Sequence, residues 1–153
     1  PSSEQLTLLD DLVISADDIV YFSNATLIEN LDGFYYDFLL HHPMGSIWSF
    51  NLHTQELKLV LDSLYFPNGL ELTQSDEYLL INETPMYRIL KFGLKGKNKG
   101  KIEVLVDNLP GFPDGLDVND AGDYWLSFAS PRKWEVDHIY SPNPWIKKIL
   151  FHQ

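Results

Sequence analysis

Cysteine is absent from all 153 residues, so this chain can build neither a disulfide framework nor a thiolate metal site. Basic residues are scarce: 11 Lys and Arg against 22 Asp and Glu leave a formal charge of −11. That deficit argues against a nucleic-acid partner, because phosphate binding rests on a basic footprint. The charge itself reads two ways, as a solvated acidic surface or as a field drawing cations to a carboxylate-lined site. No apolar run reaches the roughly 18–20 residues that span a bilayer, so membrane contact is expected only through a segment outside this chain. Pro1-Ser2-Ser3-Glu4 shows neither an initiator Met nor a signal-peptide pattern, and the chain is expected to be an excerpt of a longer protein. A G-x-S-x-G nucleophile elbow and a glycine-rich phosphate loop are also missing.

What is there is β-like. Apolar residues make up 44% of the chain, enough for a core, and the 14% aromatic content suits strands. One phrase occurs twice: Phe66-Pro67-Asn68-Gly69-Leu70-Glu71-Leu72 and Phe112-Pro113-Asp114-Gly115-Leu116-Asp117-Val118, offset by 114 − 68 = 46 residues. A polar turn follows each copy, then an apolar run, Tyr78 to Ile81 in one and Tyr124 to Phe128 in the other. A worn third copy runs from Leu9 to Ser15, with the turn Ala16-Asp17-Asp18 and the run Ile19 to Ser23. Asp10 there takes the place of Asn68, at an offset of 68 − 10 = 58. Short strands repeating at this period predict β-propeller blades.

In the middle copy the predicted strands are 70–72, 78–82, 87–94 and 102–106, the last after the basic turn Lys95 to Gly100. In the first copy, 47–51 and 57–61 supply strands three and four. The last copy offers 115–118, 123–128 and 146–151. The expected organisation is all-β: one blade over 1–64, a second over 65–109 and an incomplete blade over 110–153. Propellers close with roughly four to eight blades, so these are expected to be part of a larger ring. Two inserts, Leu27 to Met44 and Arg132 to Pro144, are expected to cover one end and line the mouth of a site, with helical turns around Phe34 to Leu40 and Trp134 to Tyr140.

A residue just before an inner strand projects into the axial channel, and Asp10, Asn68 and Asp114 all hold that position. Carboxylate and amide oxygens converging from several strands suit Ca²⁺, which takes 6–8 oxygen ligands. The lack of a repeated His or Cys argues against zinc and copper. Gly69 and Gly115 allow unusual backbone angles or close approach, and Pro67 and Pro113 stiffen the chain ahead of them. The same letters are also ordinary turn chemistry; two copies in one register favour the ligand reading. His41-His42 offers a base or proton shuttle but reads more simply as a surface loop pair, and Glu83 as an exposed strand-end acid. Two N-x-[ST] triplets, at Asn24 and Asn82, fall at strand ends where a rim could carry a glycan, which points to the secretory pathway.

Taken together, Phe66-Pro67-Asn68-Gly69, Asn82-Glu83-Thr84, Arg88-Ile89, the stretch from Asp107 to Asp114, Tyr124-Trp125, Ser130-Pro131-Arg132 and Pro144 to Lys148 resemble the strictosidine synthase-like family. The resemblance runs from about Leu9 to Phe151 and is closest to animal members. It implies a six-bladed β-propeller, of which this chain is a central fragment of about three blades. It also implies kinship with calcium-dependent lactonases and arylesterases, the paraoxonases and the regucalcin/gluconolactonase group. There an axial Ca²⁺ is held by a first-blade Glu and by Asn or Asp residues opening later inner strands. By motif position Asn68, Asp114 and Asp10 are the implied metal ligands, and Asp114 is also the implied general base. Asp10 stands where the family usually has Asn. The first-blade Glu would precede Pro1, and the catalytic Glu of true synthases would follow Gln153. The implied activity is calcium-dependent hydrolysis of a small aryl ester or lactone. The alternatives are a membrane-associated or adhesion propeller with a structural Ca²⁺, and, less favoured, a synthase-type lyase.

Overall fold

The computed structural model describes residues 6–28, 41–140 and 142–143. The turn expected around Phe34 to Leu40 and the strand expected over 146–151 lie outside them. Strands β1 (Leu9–Ile14), β2 (Ile19–Asn24), β3 (Gly45–Asn51) and β4 (Leu57–Leu64) form one antiparallel sheet in chain order. A second four-stranded sheet follows, with β5 (Pro67–Leu72), β6 (Tyr78–Glu83), β7 (Arg88–Gly93) and β8 (Ile102–Val106). The pair β9 (Gly111–Val118) and β10 (Tyr124–Pro131) forms a third, two-stranded among the described residues. In each, the first hairpin turns through one left-handed residue, Asp18, Asp76 and Gly122 in succession. Glycine takes that conformation freely, and Asp is among the few other residues that tolerate it.

Packing explains a pattern that alternation does not. Tyr78-Leu79-Leu80-Ile81 is continuously apolar because β6 is covered on both faces. Leu79 and Ile81 are buried with Tyr21, Ile47, Leu64, Leu70 and Phe92 in the core between the first two sheets. Leu80 points the other way, packing with Ile89 and Leu116 toward the third. At the far edge β8 is exposed along its whole length.

The inner strands β1, β5 and β9 stand side by side. Asp11 Oδ2 accepts the Leu70 N–H at 2.8 Å, tying β1 to β5. At the opposite end of these strands, Asp76 Oδ2 accepts the Ala16 N–H at 2.8 Å, and Lys95 Nζ meets Asp17 Oδ2 at 2.6 Å. At Gly69 the approach is so close that a Cβ would stand 2.2 Å from the Asp114 carbonyl oxygen and 2.8 Å from Asn82 Nδ2. Gly115 is under no such constraint; its nearest neighbour is the Ser127 hydroxyl, at 3.2 Å from a Cβ. The two glycines of the repeated phrase therefore do different things, and neither adopts a left-handed backbone.

Convergence also gathers acids. Half-buried Glu71 has its carboxyl pushed up, first by loss of water and then by the charges of Asp117 and Asp11, partly offset by the backbone N–H groups of Leu72 and Val118. A carboxyl raised in the folded state binds its proton more tightly there than in the unfolded chain. Its ionisation therefore lowers stability as pH rises through and above the ordinary carboxylate range.

Two outcomes follow for the full-length protein. Gly69→Ala is expected to cost about 1–3 kcal/mol or more, because its contact is with backbone, and Gly115→Ala under about 1 kcal/mol; equal costs in denaturant titrations would contradict the close-approach account. Glu71→Gln is expected to raise the melting temperature at pH 7, with the gain vanishing below about pH 4. A gain independent of pH would exclude the electrostatic cause.

Candidate metal centre

All three expected donors sit on the same irregularity. In β1 the register passes from Leu9↔Asn24 to Leu12↔Phe22, three residues against two. In β5 it passes from Pro67↔Glu83 to Leu70↔Ile81, and in β9 from Pro113↔Phe128 to Leu116↔Leu126. Each inner strand therefore carries one extra residue, at Asp10-Asp11, Asn68-Gly69 and Asp114-Gly115. These are β-bulges, which bend a strand and re-aim a side chain. The three residues thus lie within the inner strands, at a bulge, and not just before them as the sequence suggested.

The residue opposite each bulge is polar and attends to the backbone that the bulge frees. The Ser23 hydroxyl accepts the Asp11 N–H at 3.0 Å, and the Ser127 hydroxyl accepts the Gly115 N–H at 2.9 Å. In β6 the same position holds Asn82, whose Nδ2 donates to the Asp114 carbonyl in the next sheet at 2.6 Å. Sequence reasoning passed over Ser23 and Ser127 and read Asn82 as a glycan acceptor. The available signal was a polar side chain inside an apolar strand, 23 − 10 = 13, 82 − 68 = 14 and 127 − 114 = 13 residues after each donor.

The bulges bring Asp10, Asn68 and Asp114 to one open cavity of about 650 Å³, also lined by Asp11, Asp117 and Trp125. That volume falls within the range of small-molecule sites. Asn68 Nδ2 donates to Asp114 Oδ1 at 3.0 Å, across the two sheets. Loss of water, then the charges of Asp114 and Asp11, hold the Asp10 carboxyl above the usual range. Asp11 is spoken for by backbone, its two oxygens accepting the Leu12 and Leu70 N–H groups. Among the described residues no three His, Cys, Asp or Glu side chains form a metal-holding group. What the three expected donors offer is two carboxylates and one amide, a hard-oxygen set without nitrogen or sulfur ligands, which fits Ca²⁺ in kind and leaves positions for further oxygens.

The ends of β2, β6 and β10 pair with the beginnings of the inner strands, so the connections that follow them lie at the donors' end. His41 Nε2 lies 3.1 Å from the Pro85 carbonyl there. The helical turn expected over Trp134 to Tyr140 is present, and its Asp137 Oδ1 accepts the Tyr87 hydroxyl at 2.8 Å while the Arg132 guanidinium lies 3.9 Å over the Tyr87 ring. Burial, reinforced by Asp137, holds the Tyr87 hydroxyl well above its usual range. Neither His41 nor His42 lines the cavity, and His138 stacks on Trp134 with ring centroids 5.0 Å apart.

Three expectations need correction. Asn24 and Asn82, read as glycan acceptors on a rim, are both fully buried, at 0% exposure. Asn24 Oδ1 accepts the Thr7 and Leu8 N–H groups at 2.8 and 3.0 Å, and the Asn82 amide is held as described, so neither nitrogen is open to a sugar in the folded chain. Glu83, read as an exposed acid, is buried at 1% exposure against Arg88. Its Oε1 accepts the Tyr65 N–H at 2.7 Å, beside Phe66 in a left-handed conformation (φ 48°) uncommon outside glycine.

Against known proteins, the strictosidine synthase family profile matches residues 10–97, which is 88 of the 153. The adipocyte plasma membrane-associated protein of Bos taurus is 31% identical over 151 residues, 96% of this chain and 37% of its own length. The chain thus spans little more than a third of that relative. Among solved structures, a gluconolactonase of Xanthomonas campestris superposes with a TM-score of 0.63 at 19% identity, covering 85% of this chain and 44% of that one. Regucalcin of Agrobacterium tumefaciens, described as a calcium-binding protein, gives 0.60 at 15% identity, with 77% and 37% covered. At these identities the structures establish the fold, antiparallel sheets of a β-propeller, while the profile spans the first sheet from Asp10 onward and three of the four strands of the second. The chain therefore belongs to the strictosidine synthase family.

Proposed function

We propose that the full-length protein is a calcium-dependent hydrolase of small esters or lactones, with Asp10, Asn68 and Asp114 among the ligands of an axial cation. The observation that carries this reading is the convergence of three oxygen-bearing side chains, from three bulged inner strands, on one cavity. The raised Asp10 carboxyl supports it, because crowded carboxylates short of counter-charge are what a divalent cation relieves. The names of the two structural neighbours, a gluconolactonase and a calcium-binding regucalcin, agree in chemistry.

Ca²⁺ held there supplies Lewis-acid polarisation of a substrate carbonyl. The chain's own residues do the rest. Asn68 and Asp114 fix one another through their hydrogen bond, which sets the spacing of two donors from different sheets. Asp114 would serve as a ligand of the cation or as the base that takes a proton from water. Trp125, 67% exposed on the cavity wall, offers an apolar surface for the substrate's body. A second reading, a non-catalytic membrane-associated propeller whose cation only locks the sheets together, is favoured by the name of the bovine relative. Membrane attachment would then come through a segment outside this chain, since no helix among the described residues is long and apolar enough to cross a bilayer.

Asn68→Ala and Asp114→Ala in the full-length protein are each expected to abolish calcium-dependent turnover of phenyl acetate and of a lactone panel. Turnover unchanged in both variants, with chelator controls, would sink the ligand assignment. Calcium removal is expected to lower the wild-type melting temperature and to halt turnover. A lowered melting temperature without turnover on any ester or lactone would select the structural-cation reading.

A further inference from the structure

The end of β6 carries Asn82-Glu83-Thr84, a triplet that looks like a glycosylation signal and is instead buried. Its two outer residues reach out of their own sheet. Asn82 Nδ2 donates to the Asp114 carbonyl at 2.6 Å, and Thr84 Oγ1 donates to the Pro113 carbonyl at 2.8 Å. These are the backbone oxygens of the donor Asp114 and of the residue before it. The middle residue works within its own sheet: Glu83, paired with Arg88, accepts the Tyr65 N–H and so holds the segment leading into Pro67 and Asn68. One triplet thus grips both strands that present Asn68 and Asp114.

The comparison with the neighbouring sheets isolates what is special here. The positions matching Asn82 are Ser23 and Ser127, whose hydroxyls accept the N–H of the bulged residue in their own sheet. Asn82 has the longer reach and crosses to the next sheet, and it can pass because Gly69 has no Cβ. Its Oδ1 is buried with no hydrogen-bond partner among the described residues, a cost that a purely structural choice such as serine would avoid.

We propose that Asn82 and Thr84 are positioning residues for the cation, setting the level of the β9 bulge so that Asp114 meets Asn68, and that Glu83 does the same for the Asn68 side. This rests on the reading of Asn68 and Asp114 as ligands. Partners that orient metal ligands at one remove typically change affinity by about 10–100-fold when lost.

The test is calcium titration of the full-length protein by calorimetry, with melting temperatures measured in chelator. Asn82→Ser keeps the residue that both neighbouring sheets use at this position but removes the cross-sheet bond. Thr84→Val keeps the shape and removes the donor, while Thr84→Ser restores it. Asn82→Ser and Thr84→Val are each expected to weaken calcium binding about tenfold or more, with Thr84→Ser close to wild type. Ile81→Val, which loosens the same strand without touching either bond, is expected to bind calcium as wild type does. Wild-type affinity in Asn82→Ser and Thr84→Val, alongside lost binding in Asn68→Ala, would overturn the positioning role and leave the ligand reading standing. An equal loss in Ile81→Val would also overturn it, since general loosening would then account for the effect. No calcium binding by the wild type, or full binding by Asn68→Ala, would remove the ligand reading and this inference with it.

Discussion

The hydrogen bond from the Asn68 amide to the Asp114 carboxylate crosses from one sheet to the next. It exists because both inner strands bulge at the same level and because Gly69 places no side chain between them. Without the extra residue, the period-two alternation of a strand would carry each donor's direction over to its neighbours unchanged. With it, the donor is turned toward the axis while the strand beyond resumes its register and buries Leu70 and Leu116. The bulge thus lets a single strand serve a hydrophobic core and a polar axis within a few residues. The serines opposite the outer two bulges, and Asn82 opposite the middle one, satisfy the backbone groups that the irregularity frees or exposes.

Charge follows from that geometry. Drawing the inner strands together places Asp10, Asp11, Asp114, Glu71 and Asp117 near one another. The chain handles them in different ways. Asp11 is absorbed by backbone N–H groups, which is how a carboxylate is accommodated near an interior. Glu71 is partly absorbed by Leu72, yet stays raised. Asp10 is raised by burial and by the charges of Asp114 and Asp11. The two raised carboxyls, Asp10 and Glu71, thus both lie on inner strands, where neighbouring acids face one another.

The sheets were legible because their cause is local. Hairpin turns with Asp and Gly, apolar runs of strand length and a repeated phrase suffice to set out β5 to β8 from letters alone. The shared position of Asp10, Asn68 and Asp114 was legible for the same reason, since they stand at one place in each repeat. Their setting was not. A bulge is a difference between two strands' counts, and it shows only when residues 13 or 14 positions apart are laid against each other. Burial of Asn24 and Asn82 was equally hidden, because it depends on partners at Leu8 and Asp114 and on a neighbouring sheet. Glu83 looked like a surface acid only because Arg88 lies beyond a turn that the apolar pattern does not interpret.

The three donors are set by strand pairing, while the connections at their end of the sheets differ greatly in length. Twenty residues, 25–44, separate β2 from β3, whereas four, 84–87, separate β6 from β7. The spacing between donors absorbs that inequality, 58 residues in one interval and 46 in the next, with the same bulge at each point. Lengthening, shortening or replacing a connection therefore leaves the oxygen atoms where they are. A lineage built on this plan is free to reshape what surrounds these side chains by insertion and deletion, the bulges that place them lying in parts of the chain that such changes do not reach.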